Sequence, residues 1–241
     1  MVKLYDFLLR RFQGFYGKQP KYFVKAPASP VVLGDENDYV DFPYFSFSST
    51  QDIVLAVATT NSDKIRINNY QSAIYGEKVI GSSVSSWRFD EKEGQDRFTN
   101  VFTKILTIIA DELNVKDLGG LDILIYTGYI EDEFMGWKES LFAAFYVAIT
   151  TVLTKGKVVE ERSIFKAIDA LTTIDTELKR KHQLTNYHPG HFALQNTPKP
   201  QQVPLPNGYH IVIAHSLTPL PKKLIQGKRF NLRRCEILIA I

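Results

Sequence analysis

Leu4, Leu8, Leu9, Phe12 and Phe15 recur near every 3.6 residues and predict an amphipathic helix over 3–16, closed off by Pro20. Short β-branched and aromatic runs then predict strands over 21–26, 30–34, 44–49, 51–60 and 64–68. Residues 70–93 are polar and rich in Ser and Gly, which reads as a loop holding one short element. A second amphipathic helix is expected over 97–113. An apolar strand is expected over 121–129, between Gly119-Gly120 and an acidic turn. Residues 136–153 are apolar nearly all round, the mark of a buried helix. A further helix, acidic at its start and basic at its end, is expected over 159–180. From 181 to 208 the pattern changes to a Pro- and His-bearing extended loop without acids, with one strand near 191–195. GYHIVIAHS (208–216) reads as a strand, a proline-bounded basic connector follows, and NLRRCEILIAI (231–241) reads as a terminal helix.

Composition bounds this picture. With 241 residues, 44% of them hydrophobic, the chain can bury one large core or two small ones, and global disorder is excluded. Cys235 is the one cysteine, so neither an intramolecular disulfide nor a cysteine-rich metal site can form, which fits a reducing compartment. His182, His188, His191, His210 and His215 lack a matching carboxylate or Cys cluster, so no metal site is expected, and no cofactor either. Arg10 and Arg11 interrupt the first apolar stretch, unlike a signal peptide. Leu141–Leu153 is too short to cross a bilayer core of ~30 Å as a helix. The expectation is a soluble, cytoplasmic protein with no membrane partner. The net charge of +3 hides an uneven distribution: formally +5 over residues 1–25, −11 over 26–178 and +9 over 179–241. Such asymmetry marks a surface for a polyanion, or two basic ends that fold back onto an acidic middle.

Four segments, in order, resemble the galactokinase family of the GHMP kinase superfamily. FQGFYGKQPKYFVKAP (12–27) resembles the family's opening helix and the approach to its first motif. KAPASPVVLGDENDY (25–39) resembles the motif APGRVNLIGEHxDY, and FPYFSFSSTQDIVLAVA (42–58) the strands after it. NLRRCEI (231–237) resembles a late YNxRxxEC segment. GLDILIYTGYIEDEFMGWKESLFAAF (120–145) falls where the family carries its Gly- and Ser-rich phosphate loop. The resemblance is to a shortened, degenerate N-terminal part of such a kinase, without the family's C-terminal domain and third glycine-rich motif. It implies an α+β fold, a GHMP-kinase N-terminal-domain-like mixed sheet with helices packed on one side. Residues 1–178 would form that domain. Residues 179–241 would be a basic extension with a Pro/His-rich loop, a strand and a terminal helix, packed on the same domain.

The chemistry implied by the resemblance is depleted. The family's Gly-Leu-Ser-Ser-Ser-Ser stretch falls on Met135, Gly136, Trp137, Lys138, Glu139 and Ser140, preceded by Glu131, Asp132, Glu133 and Phe134. Trp137 would block close backbone approach, and three carboxylates would repel a triphosphate. Glu131 to Glu133 have a second reading as caps of the buried helix. The Arg and Gly of the first motif fall on Ser29 and Ala28. The segment expected to hold the catalytic base reads HQLTNYHPGHFALQN, and no acid occurs between Leu178 and Cys235. His188 or His191 could act as a base, but without a phosphate loop neither has a reaction to serve. On the sugar side, Asp35, Glu36, Asp38 and Tyr39 are candidates for a residual sugar pocket, although Gly34-Asp35 and Asn37-Asp38 would also form a tight turn by themselves.

The expected function is therefore a catalytically inactive pseudoenzyme repurposed for binding. Lys179, Arg180, Lys181, Lys222, Lys223, Lys228, Arg229, Arg233 and Arg234 are candidate nucleic-acid contacts, with Tyr187, His188, His191, Phe192 and Phe230 among them. Cations on phosphates and aromatic faces on unpaired bases suit RNA or a ribonucleoprotein such as the ribosome, where the protein would occupy a functional site. A sugar-sensing regulator that binds a protein partner, and an active small-molecule kinase with rearranged motifs, are the alternatives.

Overall fold

A computed structural model describes residues 2–28, 30–33, 43–49, 52–70, 76–87, 97–127, 137–160, 163–164, 166–167, 170, 191–195 and 201–212. Its elements run α1 (Val2–Tyr16), β1 (Tyr22–Pro27), β2 (Val31–Leu33), β3 (Tyr44–Phe47), β4 (Asp52–Thr60), β5 (Lys64–Asn69) and β6 (Lys78–Gly81). Then come α2 (Arg97–Leu113), β7 (Gly120–Thr127), α3 (Trp137–Leu153), β8 (His191–Gln195) and β9 (Gln201–Pro204).

Two sheets organise these elements. The larger has strand order β1-β4-β7-β5-β6 and the smaller β2-β3-β8-β9. The larger sheet is mixed: β5 and β7 are parallel, and its other pairs are antiparallel. A parallel pair needs a long crossover, which β6 and α2 provide. The start of β7 is pinned by two glycines. Gly119 has φ +71°, and a Cβ on Gly120 would collide with the Ser62 carbonyl oxygen.

Strand alternation divides the larger sheet into two faces. Ile53, Leu55 and Val57 of β4, with Ile65 and Ile67 of β5 and Leu121, Ile123 and Ile125 of β7, pack under α2 and α3 through Phe102, Ile105, Phe145 and Ile149. Val54, Ala56 and Ala58 of β4 and Leu124 of β7 face the other way and receive Leu8 and Phe12 of α1. The α+β class and mixed sheet thus match the expectation. Helices α2 and α3 share one side, and α1 lies across the other.

Among the described residues, the short element expected within 70–93 is seen, and three local expectations change. β6 is a strand inside the expected polar loop; it pairs with β5, and its outward Val79 is 53% exposed, as on a sheet edge. β9 is an edge strand exposed at all four positions, which lets the polar QQV and a terminal proline serve there. Residues 208–212, part of the expected strand 208–216, are not a strand. Tyr209 N donates to the Pro206 carbonyl at 3.2 Å, and Gly208 takes φ +84°, so the chain turns instead. Residues 159–160 of the expected helix 159–180 are irregular, and helix appears at 163, 164, 166, 167 and 170. The strand expected near 191–195 is β8, which pairs with β3 and so joins residues of the expected basic extension to the body of the protein. No helix among the described residues is long and apolar enough to cross a membrane.

Candidate functional site

The first candidate site lies where α3 begins over the ends of three strands. Pairing puts Ala26 opposite Ile53, and Ile53 opposite Thr127, so the ends of β1 and β7 and the start of β4 lie in one row. β7 ends in that row at Thr127, and α3 starts at Trp137. The first turn of a long helix gathers unpaired N–H groups and partial positive charge, the general requirement for seating an anion. Ser140 sits just inside that turn and is completely buried. Its hydroxyl donates to the Pro27 carbonyl at 2.6 Å, tying α3 to the end of β1.

Beyond Pro27 the chain is held just as closely. Ala28 is fully buried, its carbonyl accepts from Ser49 N at 2.9 Å, and the Pro30 carbonyl accepts from Phe47 N at 3.2 Å. Ala28 and Pro30 are therefore stitched to the β3 end of the smaller sheet. Lys25 and Asp52, on adjacent strands near the same row, form an ion pair at 2.9 Å. What the described residues assemble here is a tightly packed junction held by backbone and side-chain bonds, in which Asp52 Oδ1 is buried without a hydrogen-bond partner.

The second polar cluster lies on the α1 side of the larger sheet. Asp122 of β7 is completely buried. Arg66, its parallel neighbour on β5, donates from Nε to Asp122 Oδ1 at 2.7 Å. Lys18 Nζ lies 2.7 Å from Oδ2 as an ion contact, and its hydrogen bond, also at 2.7 Å, goes to the Thr59 carbonyl. Tyr16 closes the cluster: its hydroxyl donates to the Ile123 carbonyl at 2.6 Å and accepts from Asn68 Nδ2 at 3.3 Å. Burial holds the Tyr16 phenol well above its ordinary 10.0, and the hydrogen bond to Asp122 raises Arg66 above its ordinary value. Asp122 Oδ1 is hydrogen-bonded, whereas the buried Oδ2 has only the ion contact with Lys18, and the cluster fastens the end of α1 to the sheet. The sequence hint was a single acid inside the apolar run LDILIY.

The structure brings few of the sequence candidates together. Asp35, Glu36, Asp38 and Tyr39 lie outside the described residues, as do Ser29 and the 131–136 part of the expected phosphate-loop region. Lys179, Arg180, Lys181, Lys222, Lys223, Lys228, Arg229, Arg233, Arg234 and His188 also lie outside them. His191 is the first residue of β8, opposite Pro204 of β9. Phe192 meets Phe47 edge to face at 6.1 Å across the β3–β8 pair, in a packing role. No group of three or more His, Cys, Asp or Glu among the described residues could hold a metal ion.

No family model matches the chain. The chain is 28% identical over 163 residues to a galactokinase from Candida parapsilosis, a stretch that makes up 66% of this chain and 31% of that protein. It thus spans about a third of that curated relative's length. In three dimensions it is similar to Lactococcus lactis galactokinase complexed with galactose, with a TM-score of 0.73 at 16% identity, covering 96% of this chain and 59% of that one. It is also similar to Methanococcus jannaschii mevalonate kinase, with a TM-score of 0.59 at 13% identity, covering 76% of this chain and 55% of that one.

Proposed function

From a galactokinase-like chain with the fold of the GHMP kinases, we propose a protein that binds rather than phosphorylates. Its partner in this reading is RNA or a ribonucleoprotein such as the ribosome, on which it occupies a functional site. One observation carries the loss of chemistry: the segment leading into α3 reads Glu131, Asp132, Glu133, Phe134, Met135, Gly136, Trp137, where a nucleotide-binding loop needs small neutral residues. Phosphoryl transfer is positioning and charge stabilisation, so a loop that repels and obstructs a triphosphate removes most of the rate. The bond from Ser140 to the Pro27 carbonyl supports this reading, because that hydroxyl is committed to backbone.

The binding half of the proposal rests on charge. Residues 179–241 carry ten Lys and Arg against Glu236 alone, a density suited to phosphate contacts and counterion release. Sedimentation with ribosomes through a sucrose cushion is the direct test. Cosedimentation at low salt that falls away steeply as salt rises is expected, and its absence at low salt overturns the RNA reading.

A sugar kinase is the second reading, favoured by the galactokinase relatives in sequence and structure. Millimolar ATP with galactose separates the two. ATP-dependent formation of a sugar phosphate by the purified chain would refute the loss of chemistry, whereas neither nucleotide binding nor turnover is expected.

A further inference from the structure

Helix α1 has a second face that the core does not use. Leu8 and Phe12 turn into the sheet, and the surface left exposed carries Lys3, Arg10, Arg11, Gln13 and Gly14 with a single acid, Asp6. Three features of this surface point outward. The first is charge: no ion pair among the described residues engages Lys3, Arg10 or Arg11, whereas Lys18 and Lys25 are paired with Asp122 and Asp52. The second is the setting of Arg11. Its guanidinium lies over the Tyr70 ring at 4.9 Å and the Phe7 ring at 5.6 Å, and Nη2 donates to the Tyr70 hydroxyl at 3.5 Å. Tyr126 backs this group, stacked on Tyr70 at 21° between ring planes. The cation is thereby held in place while still exposed, so less side-chain entropy is lost when it meets a ligand. The third is small size beside an aromatic. A Cβ on Gly14 would meet nothing within 4 Å, so no internal contact asks for glycine in a helix that it weakens, and Phe15 next to it is 47% exposed.

We propose that this face of α1 is a contact surface for single-stranded RNA, with Arg10 and Arg11 on phosphates, the aromatic-backed Arg11 plane and Phe15 available for bases to stack on, and Gly14 admitting the strand close to the helix. The inference rests on the RNA-binding reading above and adds a surface remote in sequence from residues 179–241. A membrane is the usual target of a basic amphipathic helix, but it needs the apolar face free, and here that face is buried under the sheet. A flat guanidinium over rings beside an exposed Phe suits nucleobases, because every base has a face to stack.

Fluorescence anisotropy with a labelled 15-nucleotide single-stranded RNA of mixed sequence, between 50 and 200 mM salt, tests this directly. In Arg10→Gln/Arg11→Gln, binding at low salt falls about 10-fold and the salt slope shrinks by about 1.4, the share of two single-strand phosphates. Arg11→Lys keeps the slope but binds several-fold more weakly, because an ammonium cannot stack as a plane. If wild type binds and the double variant binds equally well, while Lys179→Gln/Arg180→Gln/Lys181→Gln loses affinity, the α1 surface is refuted and the RNA reading stands. If wild type does not bind at low salt, both fail. Displacement of the RNA by polyglutamate at matched charge overturns RNA as the occupant in favour of an acidic protein.

Discussion

A carboxylate with no exposed surface survives at position 122 because two cations reach it, Lys18 from just beyond α1 and Arg66 from β5. Removing one member of a buried ion cluster strands the others, which typically costs about 3–5 kcal/mol. Lys18 and Arg66 are each about one-third exposed and can turn to water, so Asp122→Ala is expected near the low end, about 3 kcal/mol. Lys18→Met leaves Asp122 with Arg66 and should cost only about 1 kcal/mol. Urea unfolding midpoints of the two variants check the ordering, and equal losses would show that Asp122 acts through packing alone. Ser140 is a smaller case of the same logic. Ser140→Ala leaves the Pro27 carbonyl without this donor and should lower stability by about 1–2 kcal/mol, read on the same curves. Sequence inspection could flag Asp122 as an acid in an apolar run. It could not supply Arg66 and Lys18, because those contacts depend on the parallel pairing of β5 with β7 and on where α1 ends.

At the scale of elements, periodicity was informative where an element has one buried face and a run long enough to show it. The helix expected at 97–113 has those bounds as α2, and α1 and α3 lie within a residue of expectation. β9 escaped, and the short element expected within 70–93 was not read as a strand, because edge strands bury little. Lys78–Gly81 has no fully buried position, and Gln201–Pro204 is exposed throughout, so neither alternates in sequence. The opposite error, a strand expected at 208–216, came from an apolar run that the turn at Pro206–Tyr209 keeps out of either sheet over 208–212. Of the candidate site, the start of α3 lies where the sequence places it, and the sugar-side acids and the basic clusters lie outside the described residues. Helix α1 offers the cleanest test at this scale. Gly14 is exposed and unopposed, so Gly14→Ala should stabilise the protein by about 1 kcal/mol through helix propensity, raising Tm by about 2–4 °C. A scan showing no gain would mean that the residue is constrained by something other than helix formation.

For the molecule as a whole, each sheet is closed by contacts that are local in space and distant in sequence. Ser140 reaches back to Pro27, and β8 pairs with β3 across well over a hundred residues. The α1 side and the α2/α3 side of the larger sheet each bury a tyrosine whose phenol is raised well above its ordinary 10.0. For Tyr16 the main cause is burial. For Tyr146 it is burial together with the hydrogen bond it donates to Glu112. Below pH 10 both phenols are protonated in the folded and the unfolded chain, and their contribution to stability is complete. Above pH 10 the unfolded chain releases those protons while the fold retains them, so the unfolded state binds fewer protons and stability falls as pH rises. Each such group contributes at most about 1.4 kcal/mol per pH unit over that window. The protein should therefore lose Tm steeply between pH 9.5 and 11.5. Other groups also titrate there, so the comparison that isolates the effect is with Tyr16→Phe. That variant is less stable at neutral pH, having lost the bond to the Ile123 carbonyl, and should show a shallower alkaline decline. Parallel declines in the two proteins would mean that the phenol of Tyr16 does not feel the fold, and the polar rim around Asp122 would then have to be more open to water than its burial indicates.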